Sequence, residues 1–269
     1  MRNQVRSVRN RARSVRKNGT VVQKNGFVVG NADKTPRLAA QIAHQLKTFA
    51  QNLTAPTPTA NRRRFLLAFL LYQIALYGAS AYLPLYLAAL HASPAWLTAT
   101  FAAGVVCEVL IMTQIGRWTD THGRRPAMLL SFALLPLRLL LYIPATMPLH
   151  VLLVQTIHGF NFGILGTIAV VFVNDTASDD NRGAAQAELA ATIGLAGSVA
   201  PIACGYLVQN VGIHAMFAVM SAVAAVSVAL FCAFVAESHP GASGDWTNKL
   251  PRYLREPWFG RERERVAIK

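Results

Sequence analysis

Three ionisable side chains, Glu108, Arg138 and His158, stand inside long apolar stretches of this sequence. In a low-dielectric interior, an acid, a guanidinium and an imidazole can pair, pass protons, or hold a polar ligand. A second constellation is the run "IGRWTDTHGRRPAMLL", residues 115–130, which sets Asp120, His122, Arg117, Arg124 and Arg125 between apolar segments. Its chemistry would be electrostatic and conformational. Asp120 can pair with a basic residue or cap a neighbouring helix. Gly116 would let two helices approach closely, Gly123 suits a tight reversal, and Pro126 suits the first turn of a helix. Arg124 and Arg125 are expected to stay in water or touch anionic lipid heads. Cys107, Cys204 and Cys232 share no metal-ligand spacing and read as small apolar residues, so no metal site or disulfide framework is expected.

Whether these groups meet depends on the elements that carry them. Of 269 residues, 53% are hydrophobic and 14% are charged, whereas soluble domains are about a quarter charged. A helix needs about 20 apolar residues to cross a bilayer core of ~30 Å. Six segments meet that length: 65–90, 95–116, 126–146, 149–173, 184–208 and 213–236. The period-two alternation of a membrane barrel is absent. The expected fold is therefore all-α and integral to the membrane, with six transmembrane helices over residues 65–237. A basic segment, 1–64, precedes them and a basic tail, 238–269, follows.

The net charge of +14 is concentrated in these flanks: residues 1–64 hold 14 of the 26 lysines and arginines, and 249–269 hold seven. The loop after the second span carries Arg117, Arg124 and Arg125, and the loop after the fourth carries Arg182, while the other three loops carry no lysine or arginine. Positive loops face the cytoplasm, so this alternation places both termini there. At 1.5 Å per residue, Glu108, Arg138 and His158 then lie about 20, 12 and 14 Å below the outer face. Each costs at least ~2.5 kcal/mol to insert. They should face a cavity or one another, with Glu108 and Arg138 able to form a buried ion pair.

The residues Gly116, Asp120, Gly123, Arg124 and Arg125 follow the pattern G-x-x-x-D-[RK]-x-G-[RK]-[RK], with Thr121 where a basic residue is usual. This resembles the signature loop of the major facilitator superfamily, found between the second and third helices of each six-helix half. In the fifth span, Gly194, Gly197, Pro201 and Gly205 are similar to that family's glycine-proline motif, as packing or bending residues. "CEVL", "LRLLLY" and "LVQTIHGFNFG" of spans two, three and four resemble the C-terminal half of its lactose-permease-like branch. The resemblance covers about residues 65–237. It implies one half of a major-facilitator-type bundle that moves a small, sugar-like solute by alternating access. It further implies roles for Glu108, Arg138 and His158 in proton-coupled symport and solute binding, with Asn161 where the branch carries a further acid. The partners implied are the solute, protons, membrane lipids, and a second six-helix half from another copy or chain, unless this chain is part of a longer carrier.

Gln73, Tyr77, Tyr82 and Tyr86 of the first span are interfacial anchors or cavity-lining residues, and Glu188 lies near enough to the cytoplasm to stay hydrated. The arginines at 2, 6, 9, 13 and 16 would form one basic helical face, but the other face lacks large apolar residues, so a disordered, lipid-adhering flank is expected. No aromatic interleaving supports nucleic-acid binding. No phosphate-binding G-x-x-x-x-G-K-[ST] loop, H-E-x-x-H or G-x-S-x-G motif occurs, so an enzyme, ATP drive and a cofactor are not expected. The competing reading is a non-transporting membrane scaffold, or a fragment, whose basic arm binds lipid or nucleic acid.

Overall fold

The computed structural model describes residues 57–238; the basic flank up to residue 56 and the tail from 239 lie outside the described residues. Helices α1 (Pro58–Ala89), α2 (Pro94–His122), α3 (Arg124–Tyr142), α4 (Pro148–Gln155), α5 (His158–Asp175), α6 (Arg182–Val211) and α7 (Ile213–Phe234) follow in order, with a short 3-10 turn at Asp179–Asn181 before α6. The described residues form no strand. Six stretches are long and apolar enough to cross a membrane, and the fourth, Pro148–Asp175, is made of α4 and α5 together.

Local chemistry explains the boundaries. Thr57 caps α1, its hydroxyl accepting from the Ala60 amide at 3.2 Å, with Pro58 in the first turn. Helix α1 therefore begins seven residues before the apolar run, and brings Asn61 and Arg62 into the helix. Gly123 (φ 92°) separates α2 from α3, and Gly212 (φ 86°) separates α6 from α7. Each reversal turns on one residue in a backbone region that glycine enters at little cost.

Helix α1 packs along α6 and α7, α2 along α5, and α3 along α5 and α7. Aromatic rings knit the centre: Phe65 meets Phe172 at 4.7 Å, Phe132 stacks on Phe231 at 4.5 Å, and Tyr86 meets Phe217 edge-on at 5.2 Å. Six crossings return the chain to the end where it began. There the Asn61 amide donates to the Ala236 carbonyl at 3.1 Å and accepts from the Ala236 amide at 2.8 Å.

Burial is uneven. The apolar windows of α2 and of the span containing α6 are only 11% and 17% buried, against 33% to 56% for the other four. Phe101, Val105 and Val109 of α2, and Leu195, Val199 and Ile202 of α6, are exposed.

Candidate functional site

The fourth span is interrupted at Thr156 and Ile157, between α4 and α5. The backbone tightens there: Thr156 N–H donates to Leu153 O at 3.2 Å, Ile157 to Val154 O at 3.1 Å, and Gly159 to Thr156 O at 3.3 Å. Three-residue bonds of this kind mark a local departure from α geometry. The neighbouring packing is very close. A Cβ on Gly159 would lie 2.5 Å from the carbonyl carbon of Cys107, and one on Gly163 would lie 3.0 Å from the Glu108 carbonyl oxygen. On the facing helix, a Cβ on Gly104 would stand 3.2 Å from Gln155 and from His158. Small residues on both helices thus bring α2 against the interruption.

Two polar groupings flank it. Arg138, 2% exposed, donates from Nη2 to Gln155 Oε1 at 2.9 Å and from Nε to the Tyr142 hydroxyl at 3.1 Å. Its Nη1 reaches Asn161 Oδ1 at 3.5 Å, at the limit of a hydrogen bond. Tyr142 donates to the same Gln155 oxygen at 2.6 Å. Asn161 donates in turn to Ser131 O at 3.0 Å, and the Tyr72 hydroxyl lies 3.0 Å from Ser131 Oγ. The guanidinium is therefore enclosed by neutral acceptors. The expected Glu108–Arg138 ion pair is not formed, and among the described residues no carboxylate pairs with Arg138. The reason lies in the helix order: α5 packs against both α2 and α3, so Glu108 on α2 meets the head of α5 instead.

There Glu108 Oε2 stands 3.9 Å from His158 Nε2, an ion pair when the imidazole is protonated. The other ring nitrogen, Nδ1, is buried without a hydrogen-bond partner. The ring lies 4.2 Å from that of Phe162.

The charged loop builds a latch at one end of the bundle. Arg124 donates to Asp120 at 2.7 Å, to Thr119 Oγ1 at 3.0 Å and to Asp175 at 3.4 Å. Asp120 thus pairs within its own loop. The open start of α3 is capped by Glu237, whose two oxygens accept from the amides of Arg124 and Arg125, each at 2.9 Å. Arg125 donates to the carbonyls of Val235 and Cys232 at 2.8 and 3.1 Å, closing the end of α7. Both arginines are buried, contrary to the expectation of water or lipid, because these acceptors satisfy them within the protein. Gly116 also departs from expectation: no atom within 4 Å would meet a Cβ there. Arg62 adds a further tie, donating to Glu188 at 2.9 Å and to Thr176 O at 3.1 Å.

In α6, Gly194 and Gly197 face open space, so they do not pack this bundle; their face points away from α1 and α7. Gly205 does pack, against the Tyr82 hydroxyl, which donates to Pro201 O at 3.0 Å. Pro201 sits inside a helix that continues to Val211. Gln155, Tyr142, Asp175 and Glu237 escaped the sequence reading. Two had a signal there: Asp175 and Glu237 are acids placed at the ends of apolar spans.

Six apolar spans, one of them interrupted beside buried polar groups, with a charge-paired reversal after the second, define a polytopic membrane protein. The family model described as Major Facilitator Superfamily matches residues 65–265. The chain belongs to that superfamily, and is an integral, multi-pass membrane transporter of the major facilitator type. A comparison with curated proteins found no match.

Proposed function

We propose that the chain is one six-helix half of a secondary transporter, which moves a small solute by alternating access together with a second six-helix half. The observation that carries this reading is the interrupted fourth span. Secondary transporters place solute and coupling-ion sites near the midplane, where broken helices expose backbone groups. Glu108 and His158 stand beside the break and are the proposed proton carriers. Arg138 and Asn161 hold the break in place. Asp120, Arg124, Arg125, Asp175 and Glu237 form the proposed gate, whose pairs part as the halves rock. The exposed faces of α2 and α6 are the surfaces proposed to meet the second half. Residues 65–237 would be the working domain, flanked by the two basic segments.

The test uses vesicles containing the full chain and a pH dye in the lumen, challenged with a panel of small solutes under a proton gradient. A solute-dependent pH change that disappears in Glu108→Gln supports the reading. An unaltered rate in that variant removes the proton role. Asp120→Asn should insert normally yet slow the flux at least several-fold, and normal flux would leave the loop with an orienting role alone.

A further inference from the structure

A cavity of about 110 Å³ lies between α1, α5 and α6. Helical spacing accounts for its walls. Phe69, Gln73 and Tyr77 recur at steps of four on α1, while Phe162 and Gly166 are one such step apart on α5. The rest of the lining is aliphatic apart from Asn161, whose amide is already engaged with Ser131 and Arg138. Two features of the wall determine what it can hold. No carboxylate, ammonium, guanidinium or imidazole stands in it: Glu108, Arg138 and His158 all lie outside the lining. And Gln73, only 6% exposed, makes no side-chain hydrogen bond to any described residue. An amide that opens on a cavity offers one donor group and one acceptor, which a ligand with a matching acceptor and donor would engage. Tyr77 and Phe162 meet edge-on, with centroids 6.3 Å apart, and offer aromatic surface beside it.

We propose that this cavity binds a small uncharged solute with an apolar, ring-sized body and one amide-like head that pairs with Gln73. The proposal deepens the transporter reading and rests on it for the meaning of the site. An ion entering this wall would lose hydration and find no counter-charge. A sugar presents hydroxyls around its whole ring, and most of them would meet aliphatic carbon here. Gly166 supplies an independent handle: it lines the cavity, and a Cβ added there would meet nothing within 4 Å. A larger side chain at 166 therefore fills the cavity rather than breaking the fold.

The experiment is ligand-observed NMR on the full chain in lipid nanodiscs, with empty discs subtracted. The probes are benzamide, benzoate, benzylammonium and glucose, of which the first three share one shape and differ in charge. Benzamide should bind saturably, at least ten-fold more tightly than the other three. Gln73→Leu should weaken it at least ten-fold, and Gly166→Leu should abolish it while thermal unfolding stays cooperative. Absence of benzamide binding, equal binding of benzoate or benzylammonium, tighter binding of glucose, or unchanged benzamide affinity in both variants would each overturn the proposal. The measurement involves no gradient and no flux. A failure of transport in vesicles with benzamide bound as described sinks the carrier reading alone, and the reverse result sinks this one.

Discussion

At the scale of single residues, the main finding is that the buried charges are divided between two neighbourhoods. Glu108 faces His158 at 3.9 Å, while Arg138 is held by Gln155, Tyr142 and Asn161. Groups in direct contact couple by about 0.5–3 kcal/mol, and separate ones by less than ~0.5 kcal/mol. Glu108→Gln and Arg138→Met should therefore destabilise additively, as read by thermal unfolding of single and double variants in detergent. A double variant markedly more stable than that sum would restore the ion pair. Gln155→Leu leaves both the guanidinium and the Tyr142 hydroxyl without their shared acceptor, and should cost about 1–3 kcal/mol. The span that carries each of these groups was legible in the sequence, since each lies within a long apolar run. Their direction around each helix was not. Azimuth depends on which neighbours the helix packs against, and a uniformly apolar span carries no amphipathic stripe to reveal it.

At the scale of helices, spans were legible because twenty apolar residues have few other uses. The interruption after Gln155 was not, because "LVQTIHGFNFG" contains no proline and its scattered polar residues do not by themselves break a helix. Glycine roles within this bundle were hard to read for a related reason. Gly194 and Gly197 follow a familiar spacing, yet a Cβ there would meet nothing within 4 Å, whereas Gly159 and Gly163 stand at the contact between α2 and α5. The two pairs should respond oppositely to substitution. Gly159→Leu would drive α5 off the backbone at Cys107 and should destabilise by about 1–3 kcal/mol or more. Gly194→Ala meets open space and should stabilise the isolated helix by up to ~1 kcal/mol. Thermal unfolding of both variants decides the matter, and equal losses would mean that the Gly194 face of α6 is packed.

At the scale of the molecule, charge is strongly polarised between the two ends. The latch of Arg62, Asp120, Arg124, Arg125, Asp175, Glu188 and Glu237 occupies one end, while His91, His150 and His214 are the titratable residues nearest the other. The lysines and arginines of the loops predict that the latched end is cytoplasmic. Reporter fusions at residue 148 and at the C-terminus should read opposite sides of the membrane, and a shared side would remove the six-span topology. Arg138 gives the molecule another property. Its guanidinium has no anionic companion among the described residues, so at the depth expected from the sequence it would act within the bilayer as a fixed monopole. A unit charge crossing the full membrane field exchanges about 2.3 kcal/mol per 100 mV. If rocking carries Arg138 through a tenth of that field, voltage tilts the conformational balance by about 0.2 kcal/mol per 100 mV. The bundle would then work as a weak voltmeter, its resting orientation set partly by the cell's own electrical polarisation.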